Sequence, residues 1–261
     1  MITSTRHPLV QTLRRLARRP ALDRTRVLLE GPRVVAEALA AGLVIEAALV
    51  DADGDPALAA LADRLRAGGA RVHPAARRVV QAAGSVVTSQ GVVALAARPP
   101  APAASLLDTP DLVVLVADGI ADPGNLGAMV RTALAAGATA LAACGGADPF
   151  HPKVVRAAAG AAFRLPILHD SADALRERLV ARGARIVVAD PRAAVDYTAA
   201  RLEPPVAVVV GNEARGPSPA WAAAGLAVRI PHYGPVESLN AAAAAAVLLY
   251  EVARRRASVP R

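Results

Sequence analysis

The chain has 261 residues, 54% of them hydrophobic but only 2% aromatic, so its core must be assembled from closely packed Ala, Val and Leu. Its formal net charge is +8 and Lys153 is its only lysine, so arginine, whose fork matches phosphate geometry, carries nearly all the positive charge and makes a polyanion a candidate partner. No apolar run reaches the roughly 18 residues of a membrane span, and the single cysteine, Cys144, excludes a disulfide framework, so the cytoplasm is the expected compartment.

The opening "MITSTRHPLVQTLRRLARRP" is basic but has neither an apolar core nor a cleavage site, and is not expected to act as a secretory signal. Leu9, Leu13 and Leu16 fall at helical spacing, which predicts a short amphipathic helix. Its other face carries Arg14, Arg15, Arg18 and Arg19, with Arg6 just before it. That face is either simply solvated or turned towards nucleic acid. Strands are predicted at "RVLLEG", "IEAALVDA", "ARVHPA" and "QGVVALAA", and helices at "PRVVAEALAAG" and "PALAALADRLRAGG". Together they make a small α/β domain over 1–97. The proline-rich stretch 98–110 reads as an extended linker.

Residues 111–261 read as a second domain. "DLVVLVAD" and "PPVAVVVG" are apolar throughout, as expected of parallel strands covered on both faces. Between and after them, strands and helices alternate, including a helix "KVVRAAAGAAF" and a last helix running into "LLYEVARRR". Open parallel sheets bind ligands at the carboxyl ends of their strands. Three loops of similar composition lie at such ends. "DGIADPGNLGAMVRTA" contains Asn125, which suits a helix cap, and Arg131 six residues on. On one helix those two would point about 240° apart, so helical spacing does not pair them. "VVVGNEARGPS" sets Glu213 between Gly211 and Gly216 in a tight turn, where a carboxylate is no folding requirement. "RIPHYGPVESLNAAAAAA" carries Ser238, which suits a cap with the helix starting at Leu239, and Asn240, which that reading leaves unexplained. The glycines do not match a dinucleotide fingerprint or a Walker A loop, which argues against an oxidoreductase or a P-loop enzyme.

Taken together and in this order, the three loops resemble the motifs of the SpoU/TrmH-type RNA ribose 2′-O-methyltransferases of the SPOUT superfamily. The first, Asn-x-Gly-x-x-x-Arg-Ser/Thr-Ala, is matched by Asn125, Gly127, Arg131, Thr132 and Ala133. The second, Gly-x-Glu-x-x-Gly, is matched by Gly211, Glu213 and Gly216. The third is matched by Ile230, Pro231, Gly234, Ser238, Leu239 and Asn240. "DPFHPKVVRAAAG", with Arg156 and Gly160, resembles the family's connecting segment, and "LLEGPRVVAEAL" and "SQGVVALAA" resemble the ends of its upstream substrate-binding domain. Two departures are His232, where the family usually has Met, and the alanines after Asn240, which replace its Val-Ser-Val.

The resemblance implies an α/β fold: a C-terminal parallel-sheet SPOUT domain with a deep trefoil knot, preceded by a small α/β RNA-binding domain. It implies methylation of a ribose 2′-hydroxyl in RNA by S-adenosylmethionine, with 23S ribosomal RNA favoured by the two-domain layout. A non-catalytic RNA-binding protein of the same fold and a transfer-RNA enzyme are the alternatives. The residues implied for catalysis are Asn125, Arg131, Glu213, Ser238 and Asn240. The cofactor pocket is expected around Val209, Val210, Gly211, Ile230, Leu239 and Asn240. Arg6, Arg14, Arg15, Arg18, Arg19, Arg33 and Arg156 are the expected RNA contacts. A homodimer without metal or membrane attachment completes the expectation. The small-residue helix 238–256 would serve packing between copies or packing within one chain.

Overall fold

Two sheets organise the chain, each dictated by how its strands alternate with helices. The computed structural model describes residues 1–258. It divides into two units, one made of Met1–Pro100 with Phe150–Arg164 and the other of Ala101–Pro149 with Leu165–Arg261. Residues 150–164, which lie within the stretch 111–261 expected as one domain, thus group with the amino-terminal unit.

In the first unit, α1 (Pro8–Arg18) precedes β1 (Arg26–Glu30), α2 (Pro32–Ala40), β2 (Ile45–Asp51), α3 (Pro56–Ala67), β3 (Arg71–Ala75), α4 (Arg77–Ala83) and β4 (Val92–Ala97). The sheet runs β1-β4-β2-β3, with β4 antiparallel to both neighbours and β2 parallel to β3. The apolar stripe of α1 is Val10, Leu13 and Leu16, all buried against Leu28, Leu49 and Val79. Burial of that stripe leaves Arg15, Arg18 and Arg19 exposed. Helix α4 is not evident from the sequence, because "RRVVQAA" is too short to show a helical period clearly.

The second unit contains β5 (Val113–Asp118), α5 (Pro123–Ala135) and β6 (Ala140–Cys144). The chain then makes α6 (Pro152–Ala157) within the first unit and returns as β7 (Ile167–His169), α7 (Ala172–Ala181), β8 (Arg185–Ala189), β9 (Val195–Asp196) and β10 (Val206–Gly211). It ends with α8 (Pro219–Ala222), β11 (Leu226–Arg229) and α9 (Ala241–Ser258). All seven strands pair in parallel, in the order β7-β6-β5-β10-β8-β11-β9. Both faces are covered, as the unbroken burial of β5 and β10 requires. The stretch 98–110 is not wholly extended: Ala104–Asp108 forms a 3-10 turn that buries Leu107 in the core of the second unit.

The register sets Gly211 beside Asp118, so the exits of β5 and β10 are neighbours. Helix α9 packs on α5 and β10, with Ala241, Ala245, Leu248, Leu249 and Val252 buried along one stripe. The alanine run is therefore used within the chain, where small side chains allow a close approach.

Near its end α9 carries an ion-pair cluster. Arg254 and Arg255 donate to Glu251, and Arg255 also reaches the carbonyls of Thr198 and Ala200. Hydrogen bonds from Arg254, followed by those from Arg255, hold the Glu251 carboxyl down from 4.5 to about 2. A depressed carboxylate stabilises the fold above its unfolded value and loses that contribution as pH falls through the folded one. Because Arg254 is largely exposed, screening reduces the effect at neutral pH to about 1 kcal/mol. Glu251→Gln should lower Tm at pH 7, and the two proteins should converge as pH falls from 4.5 towards 2. Thermal melts across that range check this, and a Tm difference independent of pH would contradict it.

Candidate active site

The three motif loops meet at the carboxyl ends of β5 and β10. Helix α5 is capped by Asp122, whose carboxylate accepts the Asn125 amide at 2.7 Å, so Asn125 itself does not cap. Its side chain is left to make other bonds. Asn125 Nδ2 donates to Glu213 Oε1 at 2.9 Å, and Asn125 Oδ1 accepts from Asn240 Nδ2 at 2.9 Å. Asn240 Oδ1 in turn accepts the amides of Ala242 and Ala243 at 2.9 and 3.3 Å. Helix α9 therefore starts at Ala241 with Asn240 as its cap, rather than at Leu239 with Ser238 as the cap. One asparagine both ends the third loop and joins its helix to the other two motifs.

Beside this chain of hydrogen bonds lies a cavity of about 500 Å³. Val210, Ile230, Leu239, Ala241 and Ala244 supply an apolar wall, and Asp190, Arg192, Asn212, Glu213, Arg215 and Asn240 supply polar groups. Gly211 and Ser238 also line it. Gly211 must be glycine: a Cβ there would collide with the backbone of Gly216 and Pro217, which folds back over it. Val209 differs from its expected place. It is fully buried in the core and does not line the cavity, because adjacent strand residues face opposite sides and Val210 takes the cavity side. Asp190, Arg192, Asn212, Arg215 and His232 border the cavity as well, and apart from His232 none of them stands out in the sequence. Asp190 follows a strand end, which is the one signal that points to it.

Arg131 stands apart from the cavity wall. It is exposed on α5 and forms no ion pair or hydrogen bond among the described residues. It is thus a free guanidinium on the helix that presents Asn125. Cys144 is buried at the end of β6, and its thiol is pushed up to about 12 by burial, with Asp118 and Asp170 adding to the effect, so it does not serve as a nucleophile. Among the described residues no cluster of His, Cys, Asp and Glu is placed to hold a metal ion, and no helix is long and apolar enough to cross a membrane.

Of the arginines expected to meet RNA, Arg6, Arg15, Arg18, Arg19 and Arg33 are exposed and Arg14 is half-buried. Arg156 departs from expectation. Its guanidinium is bound to Glu30, a carboxylate buried at the end of β1, and donates to Ser85 Oγ at 2.8 Å. A buried carboxylate requires a partner, and Arg156 is that partner.

Residues 112–250 match the SpoU rRNA methylase family, and residues 28–102 match the RNA 2′-O ribose methyltransferase substrate-binding domain. An uncharacterized tRNA/rRNA methyltransferase of Synechocystis sp. is 34% identical over 272 residues, covering 99% of this chain and 96% of the relative. A 23S rRNA (guanosine-2′-O-)-methyltransferase of Bordetella pertussis is 36% identical over 197 residues, covering 72% of this chain and 80% of its own. Among solved structures, an S-adenosylmethionine-bound rRNA methyltransferase from Sinorhizobium meliloti superimposes with a TM-score of 0.84 at 30% identity, covering 97% of both chains.

Proposed function

The chain belongs to the SpoU rRNA methylase family, and on that premise we propose that it moves a methyl group from S-adenosylmethionine to a ribose 2′-hydroxyl of ribosomal RNA, 23S RNA being the favoured substrate. The observation that carries this reading is the hydrogen-bonded chain Glu213–Asn125–Asn240, which joins three distant motifs beside a cavity that the second and third of them line. The cavity suits the donor. Its volume, about 500 Å³, lies within the usual range for small-molecule sites. Its apolar wall suits an adenine ring, and the carboxylates of Asp190 and Glu213 complement positive charge on the donor.

Bound there, S-adenosylmethionine supplies a methyl group on a sulfonium, which is already a good electrophile. What the chain must provide is placement of the acceptor and care of its proton. Positioning of this kind is worth on the order of 7–11 kcal/mol in well-oriented cases. Arg131 carries a guanidinium, which has donors and no acceptor and so is not the base; it grips the phosphate beside the target ribose and stabilises charge developing on the 2′-oxygen. Asn125 and Asn240 fix Glu213 through one of its oxygens. The other, Oε2, has no protein partner among the described residues and is available to receive the hydroxyl proton. Ser238, on the cavity wall, orients the ribose.

The exposed arginines of α1 hold RNA by its phosphates, which suits a chain with too few aromatics for a stacking platform. Replacing Arg15, Arg18 and Arg19 together with Ala should weaken RNA binding and reduce the slope of log K against log salt by about 0.7–0.9 for each phosphate no longer neutralised. Fluorescence anisotropy over a salt series reads this directly, and an unchanged slope would make the face merely solvated. A trefoil knot in the second unit, a homodimer as the active form and residence in the cytoplasm with the ribosomal substrate belong to the same reading.

The deciding experiment incubates the protein with labelled S-adenosylmethionine and unmodified 23S or transfer RNA, then maps ribose methylation. Label at one 2′-oxygen of 23S RNA is expected. Label in transfer RNA alone would change the substrate, and absence of both transfer and cofactor binding would overturn the reading.

A further inference from the structure

Glu213 lies on an exposed loop, yet its carboxylate must be held steadily enough to meet Asn125. Residues flanking it provide the means. Asn212 Oδ1 accepts the amides of Ala214 and Arg215 at 3.0 and 3.1 Å, and its backbone pairs in both directions with Gly216 at 3.1 and 2.8 Å. The glutamate therefore sits in a closed five-residue loop built around the Asn212 side chain. The start of that loop and the segment that follows it are also tied to the exit of β5. Asn212 Nδ2 donates to the carbonyl of Gly119 at 2.8 Å, and the buried carboxylate of Asp118 accepts the amide of Ser218 at 2.6 Å. The strand exit that leads into the Asn125 helix thus also anchors the Glu213 loop, so the two partners share one foundation.

We infer that Asn212 is a positioning residue of the methyl-transfer site, acting through Glu213 by closing its loop and tethering it to Gly119. Although Asn212 borders the cavity, its side-chain Nδ2 and Oδ1 are both engaged by the protein backbone, so its contribution is to hold the loop. The inference rests on the methyltransferase reading for its kinetic consequences, but the tether has a consequence that needs no substrate. Arg215 lies in the closed loop, and its peptide bond to Gly216 is a tryptic site. Opening the loop exposes that bond.

Asn212→Ala should accelerate tryptic cleavage after Arg215 by about tenfold while leaving Tm close to that of the parent protein. Methyl transfer should fall by about 10- to 100-fold in kcat, the scale of a misplacement near 1 Å, with KM for RNA unchanged. In a Glu213→Ala background the same substitution should cause no further loss, because its effect passes through Glu213. Asn212→Asp keeps the acceptor for Ala214 and Arg215 and replaces the donor to Gly119 with a carboxylate oxygen that repels that carbonyl. It should fold normally and still lose about tenfold in kcat, so the tether is testable even if the alanine variant folds poorly. Unchanged cleavage and unchanged kcat in Asn212→Asp would overturn the inference, as would losses that multiply in the double variant. If the parent protein transferred no methyl group to any RNA, the functional reading would fail, and accelerated cleavage in Asn212→Ala would still establish the loop clamp.

Discussion

Arg131→Ala should lower kcat for methyl transfer by about 10²–10³-fold and leave S-adenosylmethionine binding unchanged. The separation follows from where Arg131 lies. It borders none of the cavity expected to hold the donor, so its loss takes nothing from the donor's surroundings. It is exposed and unpaired among the described residues, so its removal breaks no ion pair and should barely change Tm. A guanidinium left free on the helix that carries Asn125 is suited to a ligand that arrives from outside, namely the RNA phosphate and the oxygen beside it. Its attraction strengthens as negative charge develops on that oxygen, so the loss should appear in kcat rather than in KM alone. Arg131→Lys keeps the charge but not the two-pronged geometry, and should recover only part of the rate. Titration calorimetry with the donor and single-turnover transfer to RNA test the two halves separately. Unchanged turnover in Arg131→Ala would remove this residue from the mechanism, and a weakened affinity for the donor would move it into the cavity.

The centre of the parallel sheet was legible because β5 and β10 are valine-rich runs with helices filling the gaps between strands, whereas β9 and β11, of two and four residues towards the sheet's edge, are too short to show a pattern. The motif residues were legible only as a set, because each loop alone admits a reading as turn or cap while the three in this order match one family's motifs. How they join was not. Helical spacing alone assigned caps to Asn125 and Ser238, whereas the caps are Asp122 and Asn240. Several polar residues within one turn can each cap a helix, and only the tertiary partner of each decides between them. Val209 and Val210 are indistinguishable by composition; the strand's twofold alternation separates them once one face is known to line the cavity. The helix expected over 153–163 ends at Ala157, where Ala159 and Gly160 turn to φ 51° and 89°. Gly160 needs that freedom, since a Cβ there would run into the side chain of Glu37. A contact with a residue more than a hundred positions away leaves no periodic trace.

Arg156→Ala should destabilise the protein by about 3 kcal/mol, which at this chain length corresponds to a fall in Tm of roughly 6–12 °C. Arg156 looks like one more basic residue in a basic protein, and its neighbourhood invites assignment to RNA. The structure gives its guanidinium to Glu30, whose side chain is 2% exposed against 27% for the arginine. The carboxylate also accepts the amide and hydroxyl of Ser85, so it is well hydrogen-bonded but has Arg156 as its counter-charge in the described structure. Taking the arginine away leaves an anion that water cannot reach, and that penalty outweighs the modest worth of the pair itself. Replacing both residues, as in Glu30→Leu with Arg156→Leu, should therefore restore most of the Tm, because no buried charge then remains. The salt slope of RNA binding should stay at its original value in every variant that folds. The opposite pattern, an unchanged Tm with weaker and less salt-sensitive RNA binding in Arg156→Ala, would return Arg156 to the phosphate-binding surface and leave Glu30 needing another explanation for its burial.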